Sequence, residues 1–312
     1  MKNYTAALTL TLLLGATVTL FGLTWADLAS IRPPGPLKTT PPDRRLIQQG
    51  ERLVLTNCAH CHSNDEGRLT GKPIDGVSAS LGRIVSANIT KDSVQGIGRW
   101  SDIQLVTLLR TGVDPKGYKA HFIMPRYPLL ADADMQAIVA FLRSNEYSVQ
   151  TTRYTGPAHK PSILSGFIST FFIKRLPEPK QPIPLPDTVK SLLYGRYLVN
   201  SRYQCFACHS AYVQKANLLQ PEKTKGYLAG GSKFDDTDEK FVYSANLTSD
   251  PETGFGRYTE AEFREVMHLG KKRSGQIVRS PMLPYPLMNN REINAIYQYL
   301  KSVPPVHHPI SR

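Results

Sequence analysis

Two short stretches of this chain crowd together side chains that bind metals and form covalent bonds: "NCAHCHS" at Asn57–Ser63 and "QCFACHS" at Gln204–Ser210. Each contains C-x-x-C-H, with Cys58, Cys61 and His62 in the first and Cys205, Cys208 and His209 in the second. Four chemistries use cysteine in such settings: a structural zinc site, a thioredoxin-like redox pair, an ordinary disulfide, and covalent attachment of c-type haem. The chain has 4 cysteines, all of them in these motifs. A redox pair needs no histidine directly after its second cysteine, and a four-ligand zinc site would have to draw both motifs into one closed site. Haem c needs just these residues. Each thiol adds across a porphyrin vinyl group to form a thioether, and the adjacent histidine lies under the iron as proximal ligand. Two motifs with no cysteine left over predict two covalently bound haem c groups. His60, in the spacer of the first motif, reads as a partly exposed spacer residue.

The elements that position the motifs are repeated. "SANITKDSVQGIGRWSD" begins at Ser86 and "SANLTSDPETGFGRYTE" at Ser244, and each is followed at the same distance by a methionine, Met124 in "FIMPRYP" and Met282 in "SPMLPYP". Between its C-x-x-C-H and its Ser-Ala-Asn block the second half carries an insertion, which a loop absorbs at little cost. Helix signals fall at matching places. A first helix precedes each motif, over Asp43–Thr56 and Asp187–Asn200. A middle helix starts at a capping box in each half, Ser101 with Gln104 and Thr259 with Glu262. A final helix with apolar residues at helical spacing covers Asp132–Arg143 and Asn290–Lys301. No run of alternating strand pattern appears. The expected fold is therefore all-α, with a first domain over 40–149, a Pro-rich linker over 150–186 and a second domain over 187–308.

A C-x-x-C-H after an N-terminal helix, a methionine in a Pro-rich loop and a closing amphipathic helix together resemble class I cytochrome c, over almost the whole chain after residue 40. The Asn-(Ile/Leu)-Thr block, the Gly-x-Gly-x-aromatic turn and the Met-Pro loop are similar, more narrowly, to the cytochrome c subunits of membrane-bound alcohol and related quinoprotein dehydrogenases. Those subunits usually carry three haem motifs where this chain has two. The resemblance implies His62 and Met124 as axial ligands of one iron and His209 and Met282 of the other. A soft thioether favours Fe(II), so His/Met ligation raises the reduction potential over a bis-histidine site. His121, His268 and Met288 are the other conceivable distal ligands. His121 aligns with Arg279 and Met288 with Leu130, so nothing in the repeat places either on an iron. Trp100 and Tyr258 align after the glycine turns and read as packing at a haem edge. The sequons at Asn88 and Asn246 lie inside the repeat and read as local loop bonding.

Composition and charge bound the function. Hydrophobic content of 41% and charged content of 20% are those of a globular chain. The net charge of +13 favours acidic redox partners and anionic headgroups. No run of like charge or nucleic-acid motif points to DNA or RNA. After Lys2 no charge appears until Asp27. That stretch is longer than the roughly 7–15 apolar residues of a secretory signal and reaches the about 20 that span a bilayer, so residues 1–27 read as a membrane anchor in preference to a cleaved signal peptide. Haem c is assembled outside the bacterial cytoplasm, so the expected location is the periplasmic side of the cytoplasmic membrane. Within the linker, Ile163, Leu164, Phe167, Ile168, Phe171 and Phe172 share one helical face, expected either to lie in the membrane interface or, in the favoured reading, to cover a groove between the domains.

The expected function is electron transfer without catalysis. Electrons come from a periplasmic dehydrogenase or a quinol-oxidising complex and pass to a terminal oxidase or a mobile cytochrome. The alternative is a two-haem enzyme resembling the di-haem peroxidases, with one iron open to peroxide. Such an enzyme calls for chemically unlike halves, whereas here the methionine loops agree in register. A cysteine axial ligand, as in thiosulfate-oxidising cytochromes, is excluded because the haems consume all four thiols.

Overall fold

The computed structural model describes residues 43–75, 77–235 and 241–310. The N-terminal stretch expected to be an anchor or signal lies outside them. Among the described residues, no helix is long and apolar enough to cross a membrane.

The first helix, α1 (Arg44–Asn57), starts where the Asp43 carboxylate accepts the Leu46 amide at 2.7 Å, satisfying one of the free donors of a helix start. A single turn, α2 (Ala59–His62), follows and carries the first motif. Helix α3 (Asp102–Thr111) opens on the expected capping box: the Ser101 amide donates to the Gln104 side chain at 2.8 Å, and the Gln104 amide to the Ser101 hydroxyl at 3.2 Å. The final helix of this half, α4 (Asp132–Arg143), occupies the predicted range. Replacing the cap, Ser101→Ala, is expected to cost about 1 kcal/mol in a denaturant titration; a change below about 0.3 kcal/mol would show that packing alone sets this helix start.

After a short linker helix, α5 (Ile163–Phe167), which continues as a π turn over Ile168–Phe172, the second half repeats the order. Helix α6 (Ser191–Tyr197) begins later than the predicted Asp187. The Asp187 carboxylate accepts the Val189 amide at 2.9 Å, a local turn that competes with helix at that point. The helix then widens into a π turn over Leu198–Arg202. The second motif stands on a single turn, α7 (Cys205–Cys208). Helix α8 (Glu260–Leu269) opens on the Thr259–Glu262 capping box, and α9 (Asn290–Ser302) on a further one between Asn289 and Glu292.

In each half the first helix packs on the last. The two approach so closely that a Cβ at Gly50 would overlap the carbonyl oxygen of Ala137, and a Cβ at Gly195 that of Ala295. One buried apolar cluster runs through both halves, with Leu53, Val54, Met135 and Phe141 from the first and Leu198, Phe206, Ile293 and Ile296 from the second. The described residues form one compact unit.

Two short antiparallel ribbons depart from the all-helical expectation. Strand β1 (Gly82–Arg83) pairs with β2 (Lys160–Pro161), and β3 (Lys233–Asp235) with β4 (Phe241–Tyr243) inside the second half's insertion. Strands this short leave no alternation to be seen in a sequence.

The linker helix reverses the favoured expectation for its apolar face, which points outward. Ile163, Leu164, Phe167, Phe171 and Phe172 are all exposed, while Ser165 is fully buried. Polar bonds turn it that way. The Ser162 hydroxyl donates to the Ser80 carbonyl at 2.7 Å, His121 hydrogen-bonds to the Ser165 hydroxyl at 2.8 Å, and Lys119 donates to the Thr170 carbonyl at 2.7 Å. Turning the apolar face inward would take the buried Ser165 hydroxyl away from its His121 partner.

Candidate haem-binding sites

Each C-x-x-C-H stands on one helical turn, so its two thiols, three residues apart, and the histidine after the second project from the same short segment. None of the four thiols is paired. Burial and the neighbouring Cys61 push the Cys58 thiol up to about 12, and burial with Cys208 does the same to Cys205. Among the described residues, no group of three or more His, Cys, Asp or Glu side chains is placed to hold a metal ion. The single zinc site that would join both motifs is therefore not assembled.

The two histidines are held alike. His62 Nδ1 lies 2.7 Å from the Ala87 carbonyl and His209 Nδ1 2.9 Å from the Ala245 carbonyl. A carbonyl only accepts, so Nδ1 carries the proton and Nε2 is left with its lone pair for a metal. Burial lowers both imidazole pKa values, against the opposing pull of the carbonyls, which favours the neutral ring that ligation requires. The alanines belong to the Ser-Ala-Asn blocks, 25 residues beyond His62 and 36 beyond His209. Sequence reasoning found those blocks as repeat markers and missed their role; their constancy around a loop of unequal length was the available signal. Just beyond, Asn88 and Asn246 are buried, and each accepts the amide and the hydroxyl of the threonine two residues on. That is the local bonding expected of them.

The methionine loops are also matched. The Met124 amide donates to the His121 carbonyl at 2.9 Å, and the Met282 amide to the Arg279 carbonyl at 3.0 Å. Three residues on, the Tyr127 amide donates to Leu109 at 2.6 Å and the Tyr285 amide to Met267 at 2.5 Å, which fastens each loop to its middle helix. Burial pushes the Tyr127 phenol well up, and Cys58, Tyr285 and Cys61 push the same way. Burial likewise raises Tyr285, with Cys205 and Cys208 adding to it. Tyr127 and Tyr285, three residues beyond the methionines, thus feel the thiols of their own halves. Met124 and Met282 are half-buried, the latter against the core.

The other candidate ligands are engaged elsewhere. His121 accepts the Ile123 amide on Nδ1 and so donates from Nε2 to Ser165. His268 donates to the Met288 carbonyl at 2.8 Å, and Met288 is buried in the core. His60 is exposed, as expected. Trp100 and Tyr258 pack against the core, Tyr258 stacked on Phe255 at 5.8 Å.

The two halves meet at the motifs. Gln204, the residue before Cys205, has φ of 51° and donates from its side chain to the Arg126 carbonyl in the first methionine loop at 2.6 Å. Within the second half, Tyr203 meets Tyr285 of its own methionine loop edge to face at 5.9 Å. Behind this seam, Arg202 is buried between Asp134 and Glu292, bonding the first at 2.7 and 2.8 Å and the second at 2.5 Å. Arg52 of α1 reaches Glu292 at 2.5 Å, and the Tyr197 hydroxyl donates to Asp134. Burial alone would lower the Arg202 pKa, but Asp134 together with Tyr194, Tyr197 and Tyr203 holds the guanidinium above its ordinary value. Asp134 and Glu292 occupy the same place, the third residue of the last helix of each half. Arg202 has no such counterpart: it sits on the π turn, which helps take up two residues more than the first half has between glycine and motif.

Residues 47–146 match the cytochrome c family. The chain is 26% identical over 284 residues to the cytochrome c subunit of the quinone alcohol dehydrogenase of Gluconacetobacter polyoxogenes, covering 86% of this chain and 58% of that one. It is 28% identical over 271 residues to the gluconate 2-dehydrogenase cytochrome c subunit of Pantoea cypripedii, covering 83% and 59%. A diheme c-type cytochrome of Cereibacter sphaeroides is 27% identical over 196 residues, covering 59% and 62%. The chain thus spans little more than half the length of the dehydrogenase subunits it matches. With a C-x-x-C-H, a neutral histidine and a matched methionine loop in each half, the chain resembles class I c-type cytochromes: residues 47–146 match the cytochrome c family, and most of its length is similar to cytochrome c subunits of dehydrogenases.

Proposed function

We propose that this chain is a di-haem electron carrier built from two tandem cytochrome c domains, and that it serves as the electron-transfer subunit of a dehydrogenase without catalysing a reaction itself. Cys58 and Cys61 hold one haem c and Cys205 and Cys208 the other. His62 and Met124 would ligate the first iron, and His209 and Met282 the second. Haem c, when bound, supplies an iron that cycles between Fe(III) and Fe(II). The chain's own residues do the rest. The Ala87 and Ala245 carbonyls orient the imidazoles, and the Leu109 and Met267 carbonyls fasten the methionine loops to the middle helices.

The observation that carries the reading is the seam, where Gln204 beside the second motif bonds the first methionine loop. Two redox groups held there would exchange electrons within one rigid core, as a short wire requires. The donor is a periplasmic dehydrogenase, a reading supported by the relatives, or a quinol-oxidising complex, and the acceptor a terminal oxidase or mobile cytochrome. The uncharged N-terminal stretch tethers the body to the periplasmic side of the cytoplasmic membrane.

The visible spectrum of the protein matured with haem c tests this. Two low-spin haems with a methionine-to-iron band in the red, and no shift with carbon monoxide, are expected. Met124→Ala and Met282→Ala are each expected to remove half of that band, open one iron to carbon monoxide and lower its potential. A high-spin iron in the unaltered protein would instead mean a reactive site, and peroxide turnover would become the next assay.

A further inference from the structure

We propose that the outward face of the linker helix, Ile163 to Phe172, rests on an anionic lipid surface. The inference goes beyond the electron-transfer reading and does not depend on haem content.

Five large apolar side chains stand out on this helix, with Ile163 at 93% and Phe171 and Phe172 at 68% exposure. Phe167 packs on Phe171 and Phe172 with ring centroids 4.8 and 5.9 Å apart, so the patch is continuous. An exposed apolar patch rimmed by polar groups marks a contact with a protein or a membrane. The face is outward by construction. The N-terminal end is pinned by the β1–β2 ribbon and by Ser162, the middle by His121 and Lys119, and the C-terminal end by Arg126, which donates to the Lys174 carbonyl at 2.8 Å.

Charge selects lipid over protein. From Tyr147 to Pro177 there is no Asp or Glu, while Lys160, Lys174 and Arg175 are exposed at the two ends of the helix. Aromatic and aliphatic residues on one side with lysine and arginine around them describe a helix lying in the headgroup region. Lysine is depleted from protein interfaces. Exposed cations near the surface add electrostatic attraction to anionic headgroups.

The test replaces Phe167 with p-benzoylphenylalanine in the full chain, reconstituted in vesicles of phosphatidylglycerol and phosphatidylcholine, and identifies photo-adducts by mass spectrometry. Phe171 serves as a second position, and Leu269, 64% exposed on the other half, as the control. Lipid adducts are expected at 167 and 171 at least about tenfold above 269, and to fall severalfold when phosphatidylglycerol is left out or salt is raised. Equal lipid labelling at all three positions would overturn the proposal. So would adducts at 167 and 171 to the chain's own N-terminal stretch, or, in native membranes, to another polypeptide.

Discussion

Arg202→Ala is expected to destabilise the protein by about 3–5 kcal/mol, because it strands the buried Asp134 carboxylate rather than removing one contact. Asp134 and Glu292 are both 0% exposed, and Arg202, itself 2% exposed, is the guanidinium that meets both. Arg52 still reaches Glu292 after the substitution, but Asp134 would keep only the Tyr197 hydroxyl and the Gln49 amide. Neither brings a charge. If the loss comes from stranded charge, Arg202→Met combined with Asp134→Asn and Glu292→Gln recovers most of it, since a buried ionic cluster and a neutral one of similar volume are often close in energy. Denaturant titration of the unaltered protein, Arg202→Ala and the triple variant decides. A loss below about 1 kcal/mol for Arg202→Ala would show that water reaches the carboxylates and that the network is not dry. The single mutant should also loosen the seam, since Arg202 lies two residues before Gln204, whose bond to Arg126 joins the second motif to the first methionine loop.

Gly50→Ala and Gly195→Ala are each expected to cost about 3 kcal/mol or more, the upper end of what overpacking brings. Two effects oppose one another. Alanine is the better helix former, by about 1 kcal/mol. At these positions, however, the added carbon would overlap a backbone carbonyl of the facing helix, Ala137 in one half and Ala295 in the other. A backbone atom cannot rotate aside as a side chain can, so the helices must part. Gly166 supplies the contrast, with nothing near the position its Cβ would take. Gly166→Ala should be neutral or gain up to about 1 kcal/mol. Equal effects at Gly50, Gly195 and Gly166 would mean that the helix crossings yield. Because the motifs begin directly beyond α1 and the π turn, parting the helices is also expected to lower haem incorporation, read as haem absorbance per polypeptide.

The residues of the candidate sites were legible in the sequence because their chemistry is local. A C-x-x-C-H needs only one helical turn to align two thiols and an imidazole, and the capping boxes at Ser101 and Thr259 need only a reach of three residues. The repeat told that the methionine loops correspond. It did not tell that the Ser-Ala-Asn blocks supply the carbonyls for His62 and His209, since that bond closes loops of 25 and 36 residues and depends on how the chain returns. Helix periodicity placed six apolar side chains of the linker on one face, but it could not say which face would be buried. Bonds from Ser80, Lys119 and His121, distant in sequence, decided that. The place of Arg202 was equally hidden. A helix read at uniform pitch puts that side chain elsewhere, and only the π turn brings it between two carboxylates from opposite halves. Sequence alone determined the short-range chemistry of each half, since neighbouring residues set its geometry. The joining of the halves into one core was decided by tertiary structure, because a buried charge finds its partner only when distant segments have packed.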